Sequence, residues 1–575
     1  MKPLTRMQAF LFGLVAALAA APGQAVEVPD LPLQTGSAYP PANVMFILDD
    51  SGSMVFESMP DDDSSLDDDI DDKSYVHNTI YYNPAVDYLA WMTASGDRMT
   101  GGTSYYGAYS DLSLASGDTI NLADDDSCDW VYRNGSPHQV CGGNQTFFVP
   151  KVEGTTSDDE DDYYRYQIRI VAGTARVVRS EFMRRGAEGV ENAGCQDDWN
   201  RRGWHECTYA TPTGRSEAEE LENFATWYSY HRTRLKVAKA GASEAFGQLD
   251  SGIRVGYDSI WARDSLAASY FTNSVSTTAD PAFPIPVGTD GGLFRDGNRD
   301  DWFEQLHNAH GYNGTPLKGA LQRSGRYFED TSASGPWGPG SESEQFSCRQ
   351  NFAILTTDGY WNDNAGYDAV GDADATEGAV ITSEDGTTTY QYKPVSPYAD
   401  NFRWRGIPYS RADTLADVAN HYWKRDLVAL ANDVPTSVAD PAFWQHMVTF
   451  GVSIGLRGRL DPNTDLQAIT NGSKHWGDPT DQEDLDRIDD LWHASVNGHG
   501  NFVTATRPEE FVQGLVDALA TVAQRLGSAS NVTANSTSFQ TDTRVYQASY
   551  VSGRWTGELT EGGRTEAVTL VRRNP

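Results

Sequence analysis

Five residues in three separated stretches offer hard oxygen donors where a fold can bring them together. Asp49-x-Ser51-x-Ser53 follows one apolar run, Thr315 opens a loop-to-helix junction, and Thr357-Asp358-Gly359 closes a second apolar run. Carboxylates and hydroxyls suit Mg²⁺ or Ca²⁺ rather than zinc or copper. The alternate spacing of the first stretch lets one turn aim its side chains at one point. A pair of carboxylates neutralises a divalent ion, and the hydroxyls add no charge. The ion stays electrophilic, and Mg²⁺ keeps positions open for water. A carboxylate of another protein can displace such a water, so the set reads as a ligand-binding device rather than a closed structural site.

Strands must deliver these residues. Asn43 to Asp49 is an apolar run ending in an acid, which predicts a buried parallel strand. Further strands are predicted at 253–260, 351–359, 446–456 and 501–505. Helical spacing is predicted over 217–249, over 414–431, and from Pro508 to Leu526. Gly314-Thr315-Pro316-Leu317 opens another helix through Phe328, with Thr315 as its cap. A long loop rich in Asp, Gly and Pro is predicted over 273–300. Strands alternating with helices predict an α/β fold, doubly wound, with a mostly parallel sheet. In such a sheet ligands bind at the carboxyl ends of strands, near the point where strand order reverses. Residues 57–218 break the alternation and read as a large insertion, poor in helix signals. After Gly527 the sequence turns to short strands with glycine turns, as if a new β domain begins.

The chain has 575 residues, with 44 Lys+Arg against 81 Asp+Glu and a formal net charge of −37. Its 22% charged content excludes collagen, coiled coil and polytopic membrane protein. The negative balance argues against nucleic acid as a partner. Lys2 and Arg6, the apolar stretch Met7–Ala21 and Gly23-Gln24-Ala25 predict a secretory signal peptide over 1–25, and no later stretch is expected to span a membrane. Export fits the cysteines. Cys128 and Cys141 form one close pair and Cys195 and Cys207 another, so two disulfides are expected, although four cysteines allow three connectivities. Cys348 is left over and reads as an inert buried thiol.

The Asp49–Met54 stretch, with Thr315 and Thr357-Asp358-Gly359, resembles the metal-ion-dependent adhesion site of von Willebrand factor A domains. That resemblance implies direct coordination by Ser51, Ser53 and Thr315, with Asp49 and Asp358 acting through water or at one remove. The implied ion is Mg²⁺, with Ca²⁺ or Mn²⁺ as alternatives. A wider set is similar to PilY-type proteins, the tip-associated adhesin and assembly factors of bacterial type IV pili. It comprises TIYYNP (79–84), NFATWYSYHRTR (223–234), GTPL (314–317), SCRQNFAILTTDGYWND (347–363), TLADVANHYWKRDL (414–427), WQHMVTFGVSIGL (444–456) and IDDLWHASVNGHG (488–500). The resemblance implies a short segment over 26–42, an A domain over 43–526 carrying the 57–218 insertion, and the start of a truncated β-propeller over 527–575, where YQASYVSGRWTGEL (546–559) lies. It implies a non-enzymatic role in pilus assembly and pilus-tip adhesion. The implied partners are minor pilins at the pilus tip, or a host or surface ligand with an exposed carboxylate. The implied location is the periplasm, the outer surface or the pilus tip. The family's EF-hand-like calcium loop has no match in this sequence.

Blander readings stand beside these. Ser51, Ser53 and Thr315 can serve as helix caps, and Asp49 can accept turn N–H groups. The acidic runs at 61–72, 158–162 and 483–490 read as solvated loops. Gly451-Val452-Ser453-Ile454-Gly455 matches a hydrolase pattern but lies inside an apolar run with no helix start after it. His307 and His310 read as surface histidines. The Tyr and Trp residues of 75–110 and 199–230 suit an adhesive surface or a packed core equally.

Overall fold

A computed structural model describes residues 40–59, 69–110, 119–133, 136–183, 203–249, 252–263, 280–338, 345–362, 365–481 and 484–527, and the strand backbones at 533–534, 545–551, 556–561 and 564–569. The expected signal peptide and Cys195 lie outside the described residues.

The apolar runs become one five-stranded parallel sheet. Its strands are β1 (Asn43–Leu48), β2 (Arg254–Ser259), β3 (Asn351–Thr357), β4 (Met447–Ile454) and β5 (His499–Ala505), in the order β2-β1-β3-β4-β5. Continuous apolar strands require cover on both faces, and alternate residues of β1 face opposite ways. Val44, Phe46 and Leu48 pack with Leu235, Trp302 and Phe511 on one side. Met45 and Ile47 pack with Leu321, Val418 and Leu491 on the other. Those partners come from α2 (Arg234–Gly247), α3 (Asp296–Asn308) and α7 (Pro508–Gly527) on the first face. On the second face they come from α4 (Leu317–Tyr327), α5 (Leu415–Trp423) and α6 (Leu485–Asn497). The architecture is therefore doubly wound α/β.

The helices differ from expectation in four places. The segment 217–249 is two helices, because α1 (Glu217–Tyr230) stops and Thr233 caps a new start by accepting from Lys236 N–H. The segment 414–431 ends early at Trp423, since Leu427 N–H turns away to Gln445 O. The expected loop over 273–300 yields at Asp296 to α3, which buries Trp302, Phe303 and Leu306. The acidic stretch 483–490 is not a solvated loop. It runs into α6, where Asp486, Asp489 and Asp490 are all buried.

The 57–218 region carries a four-stranded antiparallel sheet built from Gln145–Pro150, Tyr163–Val171, Thr174–Met183 and Gly203–Tyr209. Its core joins Tyr81, Tyr82, Phe147 and Tyr166 to Phe224 and Trp227 of α1. Most of the interleaved aromatics are thus core, while Tyr106 and Tyr209 stay exposed. Cys128 and Cys141 face each other across a hairpin and form a disulfide. Cys207 is also disulfide-bonded. Cys348 is free and only partly buried, and burial raises its thiol pKa. Beyond α7, the described strand backbones form a four-stranded antiparallel sheet. Among the described residues, no helix is long and apolar enough to cross a membrane.

Candidate functional site

The order of strands reverses at the seam between β1 and β3, where a parallel sheet opens a crevice. Ile47 pairs with Leu355 in the register, so two residues further on Asp49 stands beside Thr357. Thr357 Oγ1 donates to Asp49 Oδ2 at 2.6 Å, and Ser51 N–H donates to Asp49 Oδ1 at 2.7 Å. Ser51 Oγ and Ser53 Oγ lie 3.0 Å apart, and Ser53 Oγ donates to Asp358 Oδ1 at 2.8 Å. A Cβ built on Gly359 would lie 3.5 Å from Ser53 Oγ and 3.7 Å from Thr315 Oγ1. All five residues singled out by their chemistry therefore meet at one place.

Loop stitching holds Thr315 there. Tyr312 N–H donates to Asp50 O at 2.8 Å, and Gly52 N–H donates to Asn313 O at 2.7 Å. Asn313 takes φ of 76°, a left-handed conformation that asparagine tolerates better than most residues. Thr315 N–H is held by Asn362 Oδ1 at 2.8 Å.

The capping alternative fails for the hydroxyls. Pro316, not Thr315, stands at the cap position of α4, and no side chain caps that helix. Ser51 precedes a short 3₁₀ turn over Gly52–Val55, also without a side-chain cap bond. The alternative does hold in part for Asp49, which accepts a turn N–H. Asp49, Ser51 and Asp358 are fully buried, whereas Ser53 is only partly buried and forms the open side. Burial, and then the Asp358 charge, raises the Asp49 pKa to about 7. Buried hard oxygens, rotatable hydroxyls, an open edge and two mutually repelling carboxylates fit a divalent cation.

Three partners, Arg234, Arg263 and Trp261, were not foreseen in the sequence. Arg234, the first residue of α2, places Nη1 2.9 Å from Asp358 Oδ2, in a pair that is 1% and 0% exposed. Its Nε donates to Ser58 O at 2.7 Å. Asp50 is held by Arg263 Nη1 at 2.8 Å and by Trp261 N–H at 3.2 Å. Thr357 orients Asp49 as described.

Other motifs fall elsewhere. Ser453 lies inside β4, and its hydroxyl donates to Leu456 O at 2.9 Å, with no strand-to-helix elbow around it. His307 is buried instead of on the surface, stacked on Trp91 at 5.6 Å. Burial lowers the pKa of His307 and of His310 to about 3 in each case. His307 is drawn in by α3, whose apolar residues Trp302, Phe303 and Leu306 lie beyond the expected loop over 273–300.

Comparison with known proteins adds ancestry. The chain is similar to the type IV pilus biogenesis factor PilY1 of Pseudomonas aeruginosa strain UCBPP-PA14, 27% identical over 579 residues, which is 93% of this chain and 43% of that protein. The PilY1 of strain PAK is 26% identical over 576 residues, with the same shares of 93% and 43%. The PilY1 of strain PAO1 is 30% identical over 377 residues, 60% of this chain and 30% of that protein. The chain is a PilY1-type protein. This PilY1-type chain spans less than half the length of the curated relatives it matches. No family profile matches it. No solved structure matches it either.

Proposed function

We propose that this PilY1-type chain is an exported, non-enzymatic factor of type IV pilus assembly. In this reading it engages its partner through a metal-ion-dependent adhesion site of the von Willebrand factor A kind. Ser51, Ser53 and Thr315, with Asp49 and Asp358, would hold the ion, with Mg²⁺ ahead of Ca²⁺ or Mn²⁺. The bound ion would supply an electrophilic position for a carboxylate of a minor pilin or of a surface ligand. Thr357 and the Ser51 N–H keep Asp49 oriented, and Arg234 fixes Asp358. The observation that carries the reading is the run of hydroxyls across the switch point, from Ser51 to Ser53 at 3.0 Å and from Ser53 to Asp358 at 2.8 Å. The test is partner binding by the purified chain with Mg²⁺ and with EDTA. Asp49→Ala is expected to abolish the Mg²⁺-dependent part while leaving the fold intact. Equal binding in Mg²⁺ and EDTA sinks the reading.

A second reading keeps the pilus role without metal-dependent adhesion, as a scaffold that docks on minor pilins. Arg234 favours it, because its guanidinium already supplies Asp358 with a fixed positive charge. Capture of minor pilins by Asp49→Ala at the wild-type level would select it.

A further inference from the structure

The loop between β3 and α5 and the second half of α6 enclose another polar cluster, built from residues the switch-point site does not use. Oxygens of Asp374 and Asp400 and a ring nitrogen of His493 all lie within 4.8 Å of one another. The side chains of Asp374 and Asp400 are 0% exposed and that of His493 is 2% exposed. Their outer contacts are fixed. Asp374 Oδ1 accepts from Asp400 N–H at 3.2 Å, and Asp374 Oδ2 accepts from Asn497 Nδ2 at 3.1 Å. Asp400 Oδ2 accepts from Arg411 N–H at 3.0 Å.

The remaining oxygen, Asp400 Oδ1, is buried and has no hydrogen-bond partner. It faces His493 Nδ1 at 3.7 Å. His493 Nε2 donates to Tyr398 O at 2.6 Å. A neutral imidazole that donates from Nε2 carries a lone pair on Nδ1. Asp400 Oδ1 thus faces the imidazole in dry protein with no hydrogen bond of its own, an arrangement that costs its desolvation. A proton on Asp400 does not relieve it, because 3.7 Å is beyond hydrogen-bond reach. A cation coordinated by both atoms does. Lys424, on the same side of the loop, commits its ammonium to the carbonyls of Ala373 and Thr376. Asp417, whose oxygen also lies within 4.8 Å of an Asp374 oxygen, is occupied in capping α5 at Thr414.

We propose that Asp374, Asp400 and His493 bind a divalent first-row transition metal ion that clamps the β3–α5 loop to α6. A pair of carboxylates neutralises the ion, and the imidazole selects for Zn²⁺ or Mn²⁺ over Mg²⁺. Asn497 and Tyr398 orient the ligands from behind, as outer partners do in metal sites. The enclosure makes this a structural site, in contrast to the open edge at Ser53.

The test uses the full chain carrying Asp49→Ala, so that the switch-point site does not contribute. It is loaded with Zn²⁺ alone, desalted and assayed for metal. About one zinc per chain is expected to remain, and to be lost in Asp400→Asn and in His493→Gln. Chelation is expected to lower the melting temperature of the parent but not of Asp400→Asn. Unchanged zinc content in His493→Gln overturns the proposal. So does an Asp400→Asn chain that is stabilised with no change in zinc, which would mark a proton-sharing acid pair instead. If both variants fail to fold, Co²⁺ loading of the parent decides: visible bands of imidazole-bound cobalt support the site, and their absence overturns it.

Discussion

Asp358 at the switch point and the acids of α6 are buried alike, yet they are partnered in different ways. Asp490 accepts from Leu415 N–H at 2.9 Å, Ala416 N–H at 3.1 Å and Trp361 Nε1 at 2.9 Å. Asp489 accepts from the N–H groups of Arg459 and Leu460, each at 3.2 Å. These donors are fixed in direction, and they hold the carboxylates in place. Asp490 in particular reaches across from α6 to serve the free N–H groups at the start of α5, which a helix terminus must satisfy somewhere. Asp358 instead meets a rotatable hydroxyl and a guanidinium, beside the half-open Ser53. A rotatable hydroxyl can turn its hydrogen away and present a lone pair, whereas an N–H cannot. The contrast separates an acid that closes a fold from one left able to accept a cation, a distinction no count of charges contains.

The largest expected effect falls on the closed acid. Asp490→Ala leaves two helix-terminal N–H groups and an indole N–H without their acceptor. The loss should be about 3 kcal/mol, read by chemical denaturation. It should be indifferent to Mg²⁺. A Mg²⁺-dependent loss would break the comparison by making Asp490 part of a cation site.

His307 gives the next largest effect and keeps acid sensitivity from being misassigned. Its pKa is lowered to about 3 by burial first, and then by Lys239. The unfolded chain therefore binds a proton that the folded chain refuses. Stability falls as pH drops through about 6.5 towards 3, and at pH 5 this histidine alone costs roughly 2 kcal/mol. Asp490 acts in the opposite sense, because burial raises its pKa to about 6 and the folded state then takes up the proton more readily. The readout is thus a difference. His307→Phe, which preserves a ring against Trp91, should flatten the acid limb of the stability curve by that amount, with little change at pH 8. An unchanged acid limb would remove His307 from the account.

Much of this was legible in the sequence, for physical reasons that also mark where legibility ended. β1, β3 and β4 announce themselves because a strand covered on both faces favours a near-continuous apolar run, as NVMFIL, NFAILTT and MVTFGVSI are. Asp49, Ser51, Ser53, Thr315 and Asp358 were legible because each follows a strand end or a turn that the sheet must place at one edge. Arg234 was not, since its role depends on α2 restarting at Thr233, and the apolar spacing runs through that break. The α6 acids were misread because charge runs are usually solvated, and only the tertiary contact with α5 makes them buried caps. His493 lies 93 positions beyond Asp400 and 119 beyond Asp374, so no local spacing announces the three together. The aromatics of the insertion were undecidable from pattern alone, and the common core of Tyr82, Phe147, Phe224 and Trp227 resolves them.

The finest test lies where the two modes of partnering meet, at Arg234. Its guanidinium holds Asp358 Oδ2 at 2.9 Å and so lends the switch point one fixed positive charge. If the site is made for a cation, that charge competes with the ion. Arg234→Gln should then weaken the cation-free fold, because the buried Asp358 loses that counter-charge, and should tighten Mg²⁺ binding by about tenfold, about 1.4 kcal/mol. Melting temperature measured with and without Mg²⁺ reads both effects at once. Mg²⁺ should restore most of what the substitution removes, by the ordinary linkage of ligand binding to folding. If Asp358 is a closed acid like Asp490, with Arg234 as its permanent partner, the variant will be destabilised and Mg²⁺ will restore nothing.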